Sequence, residues 1–312
     1  MILVGDIGGS NTSLALAKIH GGRVEIRHRR QYANADAHTL VDLIRQLLAD
    51  QSLPERACLA VAGPTDGRRV RLTNLDWHID ADEIGRQLGF QTELINDFEA
   101  VAWGLDALSE SDLVTLQAGN PAARATRVAM GPGTGLGVAL SVATETGYRP
   151  LPGEGGHIGF APADDEQAAL LRHLQTLHGR VSVERILSGP GIADLFAFCR
   201  AASGRPVKRE HSPTEISQTA LDGSDPIAVR AMRLFCRILG QTAGDLALAA
   251  GARGGVYIAG GIPPRILPML LTGEFIAGFR DKGRFSAWAG EIPVHVVTDP
   301  DIGLKGAALM YG

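Results

Sequence analysis

One short pattern occurs twice in this chain. "MILVGDIGGSNTSLALAKI" opens it, and "RVAMGPGTGLGVALSVAT" follows roughly 125 residues later. Each reads as an apolar strand, a glycine-rich turn and a second apolar strand, so each demands a β-hairpin with a tight joint. Two accounts compete. The hairpins resemble each other by chance, or the chain is an internal duplication whose two related domains face each other across a cleft, each offering one loop to it. The segments between fix the class. After the first hairpin come a strand, "RVEIRHRRQYA", and a helix, "HTLVDLIRQLLADQ", with Leu40, Leu43, Ile44, Leu47 and Leu48 on one face. Then follow a buried strand "ACLAVAGP", a hairpin-like excursion around Asp66-Gly67, a short helix "DADEIGRQLGF", a strand "TELIND" and a helix "FEAVAWGLDAL". Strands alternating with helices give an α/β layer fold. After the second hairpin, helical segments are expected around "DEQAALLRHLQTLHG", "VSVERIL", "GIADLFAFCRAA" and "DPIAVRAMRLFCRILGQTAGDLALAAG". A strand ending in a Gly turn, "GGVYIAGGIPPR", and a terminal strand, turn and helix close the chain. Hinges are expected near residues 108 and 298. The domains then run 1–108 plus 298–312 and 109–297, with the last helix returning to the first.

The 312 residues suffice for one large or two medium domains, each with a core. A net charge of −4 and no basic run argue against nucleic acid or an anionic membrane as the main partner. "MILVGDIGGS" has neither a basic start nor a small-residue cleavage site, so no signal peptide is expected, and no apolar run is long enough to span a membrane. Three cysteines, Cys58, Cys199 and Cys236, without a C-x-x-C spacing read as free buried thiols of a cytosolic protein. Glycine is in excess, at 39 residues. Its clusters, Gly8-Gly9, Gly131 to Gly137, Gly155-Gly156, Gly254-Gly255 and Gly260-Gly261, each adjoin an aliphatic run, where glycine lets another group approach the backbone.

The glycine loops match neither common nucleotide fingerprint. Gly-Lys never occurs as a dipeptide, which excludes a P-loop, and Leu136 takes the last glycine position of G-x-G-x-x-G. A turn of Gly, Ser, Thr and Asn still offers several N–H groups and hydroxyls at one point, a nest for phosphate oxygens; the alternative is an ordinary hairpin turn. Asp6 suits Mg²⁺, directly or through water, or bonds its own turn. Glu154 and His157 have the Glu-x-x-His spacing of a helical metal pair, but Gly155 and Gly156 between them cost a helix about 2 kcal/mol relative to alanine. A rigid loop presenting an acceptor and an imidazole suits a polyol better. Glu184 is either part of the same arrangement or a solvated helix glutamate. Asp97, beside Asn96 at a strand-to-helix joint, is a favoured helix cap, yet strand ends of α/β sheets are also where ligands bind.

These residues lie in motifs whose order, "GDIGGSNTSLAL", "AVAGP", "LTNLDW", "INDFEAVAWG", "GPGTGLGVA", "LPGEGGHIGFAP", "ERILSGPG", "GVYIAGGIPPR", "DKGRF" and "GLKGAA", resembles the bacterial glucokinase family of the hexokinase/actin-like ATPase superfold. The resemblance covers essentially the whole chain. Ser10 departs from it where threonine is usual, and keeps the hydroxyl. The Cys-rich zinc motif of the related ROK proteins is missing from the sequence, which argues against a sugar-sensing repressor.

The resemblance implies an α/β protein of two domains with related actin/hexokinase-like (ribonuclease H-like) topology flanking a cleft. It implies ATP-dependent phosphorylation of glucose at the 6-hydroxyl, the first step of glycolysis, with Mg²⁺. Asp97 would be the catalytic base. Asn96, Glu154, His157 and Glu184 would hold the other sugar hydroxyls, with Asn74 in a loop near the sugar. Asp6, Gly8, Gly9, Ser10, Asn11 and Thr12, with Gly133, Thr134 and Gly135, would embrace the ATP phosphates. Gly260 and Gly261 would lie near the adenosine. A cleft that closes once the hydroxyls are bonded would keep water from the γ-phosphoryl. A homodimer is the base-rate expectation. The competing readings are a catalytically silent sugar-binding regulator, against which Asp6 and Asp97 stand, and a protein-partnered ATPase, against which Glu154, His157 and Glu184 stand.

Overall fold

The first strand, β1 (Ile2–Ile7), is almost wholly buried, and so is β4 (Arg56–Val61). A strand covered on both faces must be apolar throughout, which is why these segments read as continuous aliphatic runs. The computed structural model describes residues 1–63, 65–71, 77–204 and 211–311, so Asn74 lies outside the described residues. The chain divides into two compact units: Met1–Asp112, Tyr148–Pro152 and Asp299–Gly312 form the first, Leu113–Gly147 and Gly153–Thr298 the second.

In the first unit β1 is followed by β2 (Asn11–His20), β3 (Arg23–Ala33), α1 (Leu40–Leu48) and β4. A two-stranded ladder of β5 (Arg69–Arg71) and β6 (His78–Asp80), α2 (Ala81–Leu88), β7 (Gln91–Asn96) and α3 (Asp97–Gly104) complete the run. Asp66 does not form the tip of that excursion. Its carboxylate accepts the N–H groups of Arg68 and Arg69 and turns the chain into β5. The main sheet has the order β3-β2-β1-β4-β7. One of its faces carries Leu3, Ile7, Leu14, Leu16, Leu59 and Val61 against Leu40, Ile44 and Leu47 of α1 and Ile84 of α2. Thr39 caps α1, and the apolar face anticipated for it is the buried one.

The second unit runs through β8 (Leu113–Gln117), β9 (Arg127–Pro132), β10 (Leu136–Thr144), α4 (Asp165–His178), α5 (Gly189–Ala202), α6 (Pro213–Leu221) and α7 (Pro226–Ala250); β11 (Gly147–Gly153) pairs beside β10, and its residues Tyr148–Pro152 are those counted with the first unit. β12 (Gly255–Ile258), α8 (Leu267–Leu270), α9 (Glu274–Arg280), α10 (Ser286–Gly290) and β13 (Val294–Val297) follow. "VSVERIL" contains only the single 3₁₀ turn Val183–Arg185 where a longer helix was expected. The cause is local: Val183 N–H is taken by Ile158 across a bridge between Gly159 and Ser182, which holds the segment extended up to that turn. The core is dominated by α7, with Phe235, Ile238, Leu239 and Ala243 fully buried.

The last helix, α11 (Ile302–Leu309), belongs to the first unit and covers its sheet's second face. Val4, Ala15, Ala17, Cys58 and Ala60 meet Ala100 of α3 and Leu304, Ala307 and Ala308 of α11 there. Small residues on this face let the helices come close. A Cβ on Gly306 would run into the Ala100 carbonyl oxygen, and one on Gly104 into that of Ile302. In the second unit Gly240 and Gly278 play the same part where α7 crosses α9.

The two large sheets share a plan. In one, β1 lies between its antiparallel partner β2 and the parallel β4, with β3 outside β2 and β7 outside β4. In the other, β9 lies between antiparallel β10 and parallel β12, with β11 outside β10 and β13 outside β12. The glycine loops Gly8–Ser10 and Gly133–Gly135 occupy equivalent positions in that plan.

Candidate active site

Register fixes the candidate residues of the first unit. Asp6 pairs with Ala60 of β4, and Ala60 with Ile95 of β7. The carboxyl ends of three parallel strands therefore place Asp6, Val61 and Asn96–Asp97 along one edge, where open α/β sheets bind ligands. Asp6 lies within β1 and not in the turn. Burial pushes its carboxyl up, and Arg29 opposes that. Arg29 comes from a bulge: β2 and β3 change register between Leu14 and Leu16, and His28 takes φ 51°. Arg29 Nε donates to Asp301 Oδ1 at the start of α11. A Cβ on Gly303, the second residue of that helix, would stand 3.4 Å from Asp6 Oδ2, so the helix start packs beside the carboxylate.

The first glycine loop is tied down from β3's far end. Gly8 N–H donates to Asn11 O at 3.0 Å. Asn34, buried, donates from Nδ2 to Gly8 O at 2.8 Å and from its backbone N–H to Ser10 O at 2.9 Å. Thr12 is fully buried and gives its hydroxyl proton to Asn34 Oδ1 at 2.7 Å.

Capping and carboxylate are separated at the joint before α3. The cap is Asn96: its Oδ1 accepts Phe98 N–H at 2.9 Å and Glu99 N–H at 3.1 Å, while Nδ2 donates to Gly63 O at 3.2 Å. Asp97 is the first helical residue, half-buried, with one carboxylate oxygen also 2.9 Å from Phe98 N. A carboxylate in the first turn lies in the favourable field of the helix N-terminus. Glu99, two residues on, is pushed up by burial.

In the second unit the loop Gly133–Gly135 is closed by Gly133 N–H to Gly135 O at 2.8 Å. Glu184 Oε2 accepts Leu136 N–H at 2.9 Å, so this glutamate is not a solvated helix residue: it braces the glycine loop. Gly189 N–H donates to Gly133 O at 2.8 Å, which sets the first turn of α5, capped by Ser188, against the same loop. Glu154 precedes the 3₁₀ turn Gly155–His157, and its Oε2 lies 3.8 Å from His157 Nε2, both side chains exposed. The paired glycines have a steric reason: a Cβ on Gly155 would meet Val138 of β10 at 2.9 Å, and one on Gly156 the Leu136 carbonyl. Glu154, His157, Glu184 and the glycine loop are thus gathered around the start of β10. Gly260, at φ 86°, follows β12, and a Cβ there would come within 2.7 Å of Pro132 O. Gly260-Gly261 therefore adjoins the entry to the same loop.

Sequence reasoning did not find Asn34, Arg29 or Gly303. Asn34 and Arg29 lie outside the recognisable motifs, and Gly303 reads as a helix glycine without its partner Asp6. A polar residue just after a strand, "YANAD", is too common a signal to single out Asn34.

The family model for glucokinase matches residues 3–312. A glucokinase from Caulobacter sp. (strain K31) is 44% identical over 98% of this chain and 94% of that protein. Among solved structures, the crystal structure of glucokinase from an Antarctic psychrotroph matches with a TM-score of 0.88 at 40% identity, covering 99% of this chain and 98% of that one. The glucokinase of Balamuthia mandrillaris, solved in complex with glucose, matches with a TM-score of 0.84 at 25% identity, covering 100% and 93%. These likenesses place the mixed α/β fold among sugar kinases of the actin-like ATPase type. The chain belongs to the glucokinase family.

Proposed function

We propose that the chain phosphorylates glucose at the 6-hydroxyl with ATP as donor, as its family does, and that Asp97 is the base. The observation that carries the second part is the place of Asp97: it is the first residue of α3, directly after β7, at the carboxyl ends of the parallel strands where Asp6 also lies. In the reaction the sugar O6 forms a bond to the γ-phosphorus, the bond from that phosphorus to the β–γ bridging oxygen breaks, ADP departs, and the hydroxyl proton passes to Asp97. The transition state of such transfers is loose, so a weak base that orients the hydroxyl and accepts its proton late is sufficient.

Asn96, Glu154, His157 and Glu184 are proposed to take the other hydroxyls; Asn74, which lies outside the described residues, is proposed to act on the sugar with them. Gly8, Gly9, Ser10 and Asn11, with Gly133, Thr134 and Gly135, are proposed to hold the phosphates, the buried Thr12 supporting the first loop through Asn34, and Gly260 and Gly261 the adenosine. This reading makes residues 1–108 plus 298–312 and residues 109–297 two related domains flanking the substrates. The common plan of the two sheets supports it.

Asp6 fits Mg²⁺. A carboxylate with nucleotide phosphates and water is the usual Mg²⁺ donor set, and burial raises the Asp6 carboxyl against the opposing charge of Arg29. Bound there, the ion would neutralise phosphate charge. A cytoplasmic enzyme is supported by the free, buried cysteines, whose thiols burial pushes up, Cys199 to about 11 and Cys236 to about 12. A homodimer is supported by the frequency of that assembly.

A hexose panel with Mg-ATP tests the proposal. Glucose yields glucose 6-phosphate, and 6-deoxyglucose competes for binding but yields nothing. Phosphorylation of 6-deoxyglucose would place the transfer at another hydroxyl, and binding of glucose without product from any donor would refute the kinase reading.

A further inference from the structure

We infer that Asn34 is the positioning residue of the first glycine loop, turning that loop's N–H groups toward the ATP phosphates; the inference rests on the proposal that this loop holds them. In an ordinary four-residue turn the first carbonyl accepts from the fourth residue's N–H. In the turn Gly8 to Asn11 that carbonyl accepts from Asn34 Nδ2 instead, at 2.8 Å. The second acceptor is Ser10 O, which takes the Asn34 backbone N–H at 2.9 Å.

A trans peptide is planar, with its N–H pointing opposite its C=O. Drawing the carbonyls of Gly8 and Ser10 toward Asn34 therefore turns the N–H groups of Gly9 and Asn11 the other way. Two N–H groups of one turn aimed to the same side, here Gly9 and Asn11 with Ser10 between them, offer an anion a concavity. Asn34 can hold this arrangement because it is itself fixed. It is 2% exposed, and its Oδ1 is occupied by the hydroxyl of the fully buried Thr12 at 2.7 Å. That bond also sets the side chain's orientation, since only an amide whose oxygen faces a hydroxyl donor presents its NH₂ to Gly8. Asn34 thus holds the loop in the conformation that serves phosphate.

The test compares Asn34→Ala, Asn34→Asp and Gly9→Pro with the unaltered chain, reading KM for ATP and, by calorimetry without nucleotide, Kd for glucose. Asn34→Asp keeps the acceptor for Thr12 and removes the donor to Gly8; Gly9→Pro deletes one of the N–H groups directly. The expected result for both Asn34 variants is a rise in KM for ATP of about tenfold, the weight of one hydrogen bond, with the glucose Kd within about twofold. If the alanine variant does not fold, the aspartate variant decides alone. If KM for ATP is unmoved in the Asn34 variants while Gly9→Pro raises it, or if the ATP and glucose constants shift together, Asn34 is only core support and the inference is overturned. If Gly9→Pro also leaves KM for ATP unchanged, the loop does not hold the phosphates and the reading beneath the inference fails with it.

Discussion

Asn96 and Asp97 look interchangeable in sequence, because both are good caps and either could begin the helix. The structure assigns the cap to Asn96, with two backbone N–H groups on its Oδ1. That one-residue register was not legible in the sequence. Glu184 was singled out by its motif, but its bond to Leu136 N–H, 48 residues away, needed the fold. A residue-scale prediction concerns His295, which packs beside Tyr257 and lies 3.0 Å from Thr115 Oγ1. Burial lowers its pKa below the ordinary value. The folded state therefore prefers the neutral ring, and the stability this preserves is present above the unfolded value of about 6.5 and lost as pH falls through the folded value. In urea melts, His295→Asn should lose less stability between pH 7 and pH 5 than the unaltered chain; an equal loss would mean that His295 does not contribute.

At the scale of elements, periodicity was a good guide wherever an element buries one face or two. The apolar stripe of α1 and the aliphatic runs of β1 and β4 follow from what those faces touch. Glycines inside helices were a poor guide, since they weaken a helix locally and reveal their use only when a second helix is in place. Gly306 in "GLKGAA" is such a contact point, packed on the Ala100 carbonyl of α3. Gly306→Ala raises intrinsic helix propensity and yet should destabilise the protein by about 1–3 kcal/mol, because the added methyl overpacks this crossing. Thermal unfolding reads the sign: a lowered melting temperature is expected, and a raised one would show that α3 and α11 separate at no cost.

For the whole molecule, the repeated hairpin proved to be the visible part of a larger regularity, the common strand plan of two sheets. The hairpins were legible because their strands are adjacent in sequence. Other neighbouring strands pair across long insertions: 122 residues lie between the end of β9 at Pro132 and the start of β12 at Gly255, with helices among them. The ordered motifs brought the family into view, and the full-length match at 44% identity agrees with it. Asp97 is proposed as the base that takes the O6 proton while the γ-phosphoryl passes directly from ATP to glucose. The most direct measurement is kcat for glucose 6-phosphate formation beside the glucose Kd, for the unaltered chain and for Asp97→Asn. If Asp97 is the base, kcat falls by about 10²- to 10⁴-fold, the usual weight of general-base catalysis, while the Kd stays within several-fold. An Asp97→Asn protein that turns over at the original rate would contradict it.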